Sequence, residues 1–523
     1  MFTRCCLPRL VVPTICAAIA FSNLSGAQPR LKPIPHHGQS GGQKSAPGSP
    51  WTPLTQQPTF LVEGAGNPIL LTDGTVLVQD AGAQDWWKLT PDQHSSYING
   101  TWSEVASLPS NYSPLYHSSA VLPHGRLIIE GGEYNFFTPA WTNLGAIYDP
   151  LANTWTPISP PAGWSSIGDA QSVVLANGTF MQANCCNTEA ALLNASTLTW
   201  TATGSNKFDP NDEEGWNLLP NGEVLAVDAY VPIAPFPFIP MGTNSELYDP
   251  STGSWHSAGS TIVQLWDSQE ACGSPNPSFE LGPGVLRPDG TVFYMGSDTC
   301  PGAPGNTAIY NSVNGTWTPG PQFPDGLDIS DGPAALEPNG KVIMMTSPGF
   351  GNTPSIFFEW DGQSLTQIPG TPNAPNDVSF IGNMLVLPTG QILLTDFSDD
   401  VEIYTPSPGY RPDWAPEIAG GSRVLRLGST YQISGRRFNG MSQGASYGDD
   451  VQAATNYPLV RITMKSTGHV FYCRTHDHSS MAVASDAEVS TFFDLPATME
   501  RGEGKLEVVA NGIPSVAREV SVF

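Results

Sequence analysis

The sequence of 523 residues is poor in charge, and poorest in basic charge. Only 13% of its residues are charged, and 21 Lys and Arg stand against 47 Asp and Glu. A surface this acidic repels phosphate backbones and anionic lipid, which excludes nucleic acid and membrane surfaces as partners. The 53 Gly and 50 Pro disfavour a helical bundle and favour many short strands joined by tight turns.

The chain also lacks long apolar runs beyond its first residues. Arg4 and Arg9 precede the apolar run of residues 10–21, and a small-residue pattern ends at Ala27. This run is short for a bilayer span and is typical of a signal peptide, so we predict that residues 1–27 are removed. The mature protein is then soluble and secreted, either extracellular or periplasmic, without membrane insertion. Residues 28–54 are predicted to be a disordered leader or linker.

Cysteine is scarce, with five residues left after position 27. Cys272 and Cys300 lie at the two ends of one strand-turn-strand segment, and we predict a disulfide between them. Cys185 and Cys186 are adjacent, which leaves open a vicinal disulfide or a turn with free thiols. No zinc-type spacing is present. We expect a monomer, in which the odd count leaves at least one thiol unpaired.

Seven similar units follow one another through the middle of the chain. Each has an apolar strand, a turn that ends in glycine and a second apolar strand, and most continue with a tyrosine strand and a tryptophan strand. The turn glycines are Gly74, Gly125, Gly178, Gly222, Gly290, Gly340 and Gly390. Asp-Gly and Asn-Gly turns predict two-residue hairpins of type I′. Units of about 50 residues resemble kelch repeats, which implies a seven-bladed β-propeller over residues 55–410.

Residues 411–523 follow a different pattern, in which alternating strands are separated by polar turns. Strands at this spacing predict a small β-sandwich of immunoglobulin-like type. The charge also changes here: residues 51–410 carry 35 acids and five bases, whereas residues 411–523 carry 12 acids and 11 bases. The whole chain is therefore predicted to be all-β, with two domains.

Acidic residues recur just upstream of the first strand of several units. These strands converge on the axis of a propeller, so their entry ends form one ring around its channel. The ring is predicted to contain Tyr116, His117, Asp169, Glu213, Glu214, Glu280, Asp331 and Asp377. Such carboxylates bind a cation or hydrogen-bond sugar hydroxyls, or else merely solvate loop ends. Asp449 and Asp450 form another acidic pair, for which we expect a solvated turn rather than a cation site.

Histidine and tryptophan supply further candidates. His476 and His478 alternate, so on a strand they project to one side and could ligate a transition metal; a hydrogen-bonded surface loop is the alternative. Trp164, Trp216 and Trp266 near the mouth of the channel could stack on sugar faces. We predict substrate binding by Asp169, Glu213, Glu214, Trp216, Asp331 and Asp377.

The chain resembles the galactose oxidase and glyoxal oxidase family of copper radical oxidases over most of its mature length. Residues 116–126, followed by Gly131 and Gly132, resemble the segment that carries the radical tyrosine, which would give that role to Tyr116. Residues 475–476 resemble the segment of the last domain that reaches the axis with a copper-ligand histidine. Residues 511–517 resemble the final strand. The resemblance implies that residues 411–523 are an early-set (E-set) sandwich.

The chain departs from this family at its metal centre. Residues 63–67 contain no cysteine for the family's Tyr-Cys crosslink, and Phe380 and Ile381 stand where the family has a Tyr-His ligand pair. We therefore propose a substitute copper site, in which the catalytic residues Tyr116, His117 and His476 are joined by His478.

Three functions remain open from the sequence. The first is an oxidoreductase that acts on a carbohydrate or on a small aldehyde or alcohol through a non-standard copper site. The second is a non-catalytic protein that binds carbohydrate or the cell envelope and holds calcium at most. The third is a hydrolase or lyase with Glu213, Glu214 or Asp331 as acid and base. The sequence does not decide whether the protein is an enzyme.

Overall fold

The structure, a computed structural model, describes residues 48–229, 242–267, 280–298 and 302–523, with two further short strands at Val231–Pro232 and Phe238–Ile239. The described chain is built from strands, with short 3-10 turns at Ser379–Ile381 and Pro412–Trp414. Within these ranges we find no helix that is long and apolar enough to cross a membrane.

Seven antiparallel sheets follow one another along the chain, and in each of them four strands pair in succession as a meander. The sixth sheet has a fifth strand, Ala445–Ser446, which pairs with its first strand. The strands of sheets 1 to 4 are Ala65–Leu70, Val76–Asp80, Trp86–Thr90 and Thr101–Glu104; Ser118–Val121, Leu127–Glu130, Gly145–Asp149 and Thr154–Ile158; Ser172–Val174, Phe180–Ala183, Ala190–Asn194 and Thr199–Thr203; Asn217–Leu218, Val224–Val227, Asn244–Asp249 and Ser254–Ser260.

The strands of sheets 5 to 7 are Gly284–Leu286, Thr291–Met295, Thr307–Asn311 and Thr316–Pro319; Ala334–Leu336, Val342–Thr346, Ile356–Trp360 and Leu365–Ile368; Asn383–Val386, Ile392–Thr395, Glu402–Tyr404 and Trp51–Pro53. Sheet 2 has an insertion in which Tyr134–Asn135 pairs with Pro114–Leu115 and Thr138–Pro139. The first strands of sheets 2 to 7 contact one another in order, and that of sheet 7 contacts sheet 1. Asn67 Nδ2 of sheet 1 donates to Ser119 Oγ of sheet 2 at 3.0 Å, so the seven sheets form a closed ring, as in a β-propeller.

The seven predicted turn glycines all lie between the first and second strands and have positive φ. The residue before each of them does not, so the predicted type I′ turn is wrong. In sheet 1, Gly74 N donates to Leu71 O, and Leu71 N donates to Thr75 O. A four-residue turn whose last residue is a left-handed glycine has this pattern. Here the turn comprises residues 71–74, and residues 72–74 form a three-residue hairpin loop.

The ring is closed by a strand that the sequence analysis assigned to the leader. Residues 51–53 pair antiparallel with residues 402–404 as the outermost strand of sheet 7. Trp51 is buried, and its ring packs 5.1 Å from Tyr404 and 5.0 Å from Phe357. The predicted boundary at residue 55 is therefore a few residues late, because burial of this tryptophan fixes the strand in the sheet.

The C-terminal part forms two sheets with a common core. One contains Glu417–Gly421, Thr430–Arg436, Glu488–Asp494 and Thr475–His476; the other contains Val424–Leu425, Arg518–Val522, Gly502–Ala510, Leu459–Met464 and Val470–Cys473, with Ile513–Pro514 paired to its third strand. Ile433 and Phe493 of the first sheet pack with Val460 and Val508 of the second in one buried cluster. This is a β-sandwich, and it lies against the hairpin-turn end of the ring, where Thr475 N donates to Thr72 O at 3.1 Å.

Candidate functional site

Residues 443–452 of the C-terminal part run between the first strands of the ring. Gly444 O accepts a hydrogen bond from Leu336 N of sheet 6 at 2.7 Å. Gln452 O accepts one from Ser119 Oγ of sheet 2 at 2.8 Å. Sheets 2 and 6 lie on different sides of the ring, so these residues, which we call the axial segment, lie on its axis.

The substitute copper set of the sequence analysis is not assembled. His478 N donates to Pro123 O at 3.1 Å, in the hairpin turn of sheet 2, and His476 is two residues away. Tyr116 and His117 precede the first strand of that sheet at its other end, roughly 20 Å away at about 3.3 Å per residue. The prediction that residues 475–476 reach the axis is therefore corrected, because the axial segment occupies that place.

Each of the three histidines has local partners instead. His117 Nε2 lies 3.0 Å from Gln79 Oε1, and burial lowers the pKa of His117 to about 4. His478 Nδ1 lies 2.8 Å from Thr491 Oγ1, and burial lowers the pKa of His478 to about 3. His476 Nδ1 lies 2.8 Å from Asp477 Oδ2. These side chains hold local structure at two separate ends of the ring.

Five carboxylates meet at the entry end of the ring axis. Asp169, Glu213 and Asp449 form one triad, and Glu213, Glu280 and Asp331 form another, with the ligand atoms of each triad within 4.8 Å of one another. All five side chains are buried. Four of them precede the first strands of sheets 3 to 6, where the sequence analysis expected them, and the role of Asp169, Glu213 and Asp331 in substrate binding stays a prediction. We call this group the axial cluster.

The backbone around the axial cluster is unusual in two respects. Glu213 and Asp331 have φ values of 53° and 52°, in the left-handed region that residues with a side chain seldom adopt. Gly448 of the axial segment packs against the Asp331 carboxylate so closely that a Cβ atom would overlap Oδ1. A glycine is therefore required at the position that brings Asp449 to the ring.

Asp449 is the member of the axial cluster that the sequence analysis placed wrongly. Asp449 and Asp450 were expected in a solvated turn, and both are buried. A glycine followed by two acids, Gly448-Asp449-Asp450, is visible in the sequence. Only the path of the axial segment shows that Asp449 lies on the axis.

Aromatic rings line the part of the axis next to the axial cluster. The ring centroid of Tyr116 lies 6.3 Å from that of Tyr134 and 6.2 Å from that of Phe397, and Phe380 belongs to the same buried group. Burial, with the charges of Glu133 and Asp169, raises the pKa of Tyr134 to about 12, so Tyr134 lies near the axial cluster. The axial cluster thus lies beside a group of buried aromatic rings.

A second carboxylate cluster surrounds Lys207, beside the axial cluster in sequence. Lys207 Nζ lies 2.7 Å from Glu246 Oε2, 3.2 Å from Glu214 Oε1 and 3.8 Å from Asp228 Oδ1, and it also pairs with Asp209. Burial raises the pKa of Glu214 and of Asp228 well above the ordinary range. Glu214 was predicted at the mouth; it points into this Lys207 cluster, whereas Glu213, at a bend with positive φ, points into the axial cluster.

Other predicted residues lie apart from the axial cluster. Trp216 and Trp266 are buried, so neither ring is free to stack on a ligand, and Trp164 is half-buried. Asp377 lies in a group with Asp396, near sheet 7. Burial, with the charge of Asp396, raises the pKa of Asp377 to about 8.

Cys185 and Cys186 form a vicinal disulfide, one of the two alternatives that the sequence left open. Cys185 Sγ lies 3.8 Å from Asp212 Oδ1, next to Glu213 in sequence. Cys473 is a free, buried thiol. The predicted Cys272–Cys300 disulfide lies outside the described residues.

The donor chemistry of the axial cluster distinguishes between metals. Its two triads, as described, contain carboxylate oxygens and neither histidine nor cysteine. Oxygen-only sets suit calcium, magnesium and manganese, whereas copper favours imidazole and sulfur ligands. At the usual bond lengths of about 2.4 Å, one calcium ion can reach oxygens up to about 4.8 Å apart, so it can contact all three ligand atoms of a triad.

Comparison with known proteins gives structural similarity only. No family model matches the chain, and no curated protein matches it. A fungal alcohol oxidase of the AA5 family in complex with copper is similar, with 15% identity, a TM-score of 0.48 and coverage of 91% of this chain and 98% of the oxidase. Virginiamycin B lyase from Staphylococcus aureus has 9% identity and a TM-score of 0.43, with coverage of 68% and 98%. YCF48 bound to D1 peptide has 13% identity and a TM-score of 0.44, with coverage of 71% and 99%.

Proposed function

We propose that this protein is an exported carbohydrate-binding protein whose axial cluster holds a hard divalent cation, calcium in the first place. It has the architecture of a seven-bladed propeller, from residue 51 to about residue 410, followed by an immunoglobulin-like sandwich. The single observation that carries the proposal is the meeting of five buried carboxylates from five separate segments in two triads that share Glu213.

Electrostatics supports the cation. Carboxylates within 4.8 Å of one another repel strongly when buried, and a divalent ion at their centre converts this repulsion into attraction. The five ligands come from sheets 3 to 6 and from the axial segment, so the ion would tie the C-terminal part to the ring. Calcium is favoured over magnesium because it accepts irregular sets of six to eight oxygens.

The surroundings of the axial cluster favour carbohydrate as the ligand class. Adjacent hydroxyls of a sugar are neutral oxygen donors that can complete the coordination of calcium. The rings of Tyr116, Tyr134 and Phe397 next to the cluster are buried, so the sugar would be held through its hydroxyls on the ion and not by stacking on these rings.

The copper oxidoreductase receives less support from the site. Two of its proposed ligands, Tyr116 and His117, lie at one end of sheet 2, and the two histidines of the sandwich lie against the opposite end. The axial donors within the described ranges are carboxylates. A hydrolase or lyase would use the same carboxylates as acid and base, and no observation on the described residues favours it over binding.

Metal content and thermal unfolding test the proposal on the exported protein, whose N-terminus after residue 27 is first checked by mass spectrometry. We expect calcium in the purified protein, a higher Tm with calcium than with EGTA, and EGTA-sensitive binding on a glycan array. Asp331→Asn should abolish the calcium effect. Asp325→Asn is the matched control, because Asp325 is exposed and has a φ of 55°, close to that of Asp331.

Two outcomes would overturn the proposal. One is copper at one equivalent per chain that is lost in a His476→Ala/His478→Ala variant, which would restore the oxidase. The other is a protein without calcium whose Tm is the same in calcium and in EGTA.

A further inference from the structure

A cavity of about 230 Å³ opens beside the Lys207 cluster, on the outer strands of sheet 4. Asp228 and Glu246 belong to both the cluster and the cavity lining, which also includes Asn206, Phe208 and Asn244. The volume equals that of about seven or eight waters at about 30 Å³ each, enough for a short-chain organic molecule.

Asp228 is the group that points to a ligand. It is 1% exposed, and neither of its carboxylate oxygens has a hydrogen-bond partner among the residues that the structure describes. The nearest basic atom, Lys207 Nζ, is 3.8 Å from Oδ1, which is beyond hydrogen-bond distance. A buried carboxylate without donors costs free energy, and a donor placed in the cavity would recover it.

The charge balance of the Lys207 cluster favours a cation in that place. Four carboxylates surround one ammonium group, so the cluster retains excess negative charge when Lys207 is counted. Glu246 already uses its oxygens for Lys207 Nζ and for the backbone N–H of Phe208. Asp228 is therefore the carboxylate with capacity for a second cation.

We propose that this cavity binds a small primary amine as its ammonium ion, with Asp228 as the acceptor. Lys207 itself shows that buried carboxylates of this cluster accept an ammonium group, whose three N–H donors fit separate oxygens. Phe208 is 48% exposed at the rim, where its ring face can contact the cation or the methylene chain. The amide oxygens of Asn206 and Asn244 are neutral acceptors for the remaining donors.

An ammonium ion fits better than a metal ion here. The Asp209, Glu214 and Asp228 ligand atoms lie within 4.8 Å of one another, but Lys207 Nζ already lies among them. A divalent metal would have to displace that ammonium group, whereas an amine in the cavity leaves it in place. This inference does not depend on the axial cluster.

Isothermal titration of the full exported chain with cadaverine tests the inference, with 1-pentanol as the uncharged probe of the same chain length. We expect one cadaverine per chain and no binding of 1-pentanol. Asp228→Asn should weaken cadaverine binding at least tenfold. Asp249→Asn, at the far end of the Asn244–Asp249 strand, is the matched control and should bind as the wild type does.

Phe208→Ala provides a second variant at an exposed position, in case Asp228→Asn does not fold. It should weaken cadaverine binding several-fold without changing the Tm. Equal binding by both variants and the wild type would overturn the inference, as would binding of 1-pentanol as tightly as cadaverine, or displacement of cadaverine by equimolar calcium. Asp331→Asn should retain cadaverine binding, so that failure at the axis and failure at this cavity are told apart.

Discussion

The axial cluster and the Lys207 cluster bury similar numbers of carboxylates in different ways. Glu213 belongs to the first and Glu214 to the second, although they are adjacent. The axial cluster gathers ligands from residues 169 to 449, whereas the Lys207 cluster takes all its members from residues 207 to 246. The second carries its own cation in the form of Lys207. We infer that the number of buried acids does not distinguish a proposed ion-binding cluster from one that contains its own cation. The source of the counter-charge, and the length of chain that it joins, distinguish the two clusters better.

Removal of Lys207 is expected to cause the largest loss of stability among the variants of the two clusters. Lys207→Met leaves four buried carboxylates without their ammonium ion, and loss of one partner of a buried pair costs about 3–5 kcal/mol. Urea unfolding should show this loss. Lys465→Met, which removes an exposed pair with Glu519, is the control and should cost at most about 1 kcal/mol. Similar losses in both variants would mean that the Lys207 cluster contributes no more than a surface ion pair.

The two adjacent glutamates should separate the clusters by their response to calcium. A ligand at 100 times its Kd stabilises a protein by about 2.7 kcal/mol, and Glu213→Gln should remove this increment while stability in EGTA changes less. Glu214→Gln should keep the calcium increment, because Glu214 belongs to the Lys207 cluster and not to the axial cluster. Thermal unfolding of both variants with calcium and with EGTA measures the difference. A calcium increment lost from both variants would show that the clusters are one electrostatic unit.

Asp377 offers a third way to bury a carboxyl group, with a proton as the counter-charge, and its effect should appear as a dependence of stability on pH. Its folded-state pKa of about 8 lies above the unfolded value, so the folded state keeps the proton while the unfolded state releases it. Stability should therefore fall as pH rises from about 4 to about 8. Asp377→Asn mimics the protonated group and should match the wild type near pH 4 but exceed it near pH 8. A constant difference across this range would contradict the assignment.

The sequence predicted the repeat well because the turn glycines mark every hairpin. Placement of Asp169 and Asp331 upstream of first strands then followed from the convergence of those strands on an axis. The direction in which the Glu214 side chain points could not be predicted, because it depends on the backbone conformation at a single residue. The path of the axial segment did not follow either, because its hydrogen bonds join residues more than 100 positions apart, such as Ser119 and Gln452.

The copper ligands predicted from the sequence also differ from their placement in the structure. The alternating spacing of His476 and His478, and the resemblance of residues 475–476, predicted ligands on the axis, whereas both histidines lie at the seam between the sandwich and the hairpin turns. Lys207 passed unnoticed, although it is one of five bases among residues 51–410 and has eight acids within residues 201–250. A lone base in an acidic stretch of strands predicts a buried counter-charge, and this pattern is readable without a structure.

The closing strand at residues 51–53 has a consequence for the order of events during synthesis. Its partners, residues 402–404, leave the ribosome about 350 residues later, so the first-made strand must wait for the last-made sheet of the ring. Until the two strands pair, both present open edges, which invite pairing with other chains. These edges are therefore protected only after nearly the whole ring has been synthesised, and the interval before closure is when the chain is most exposed to aggregation.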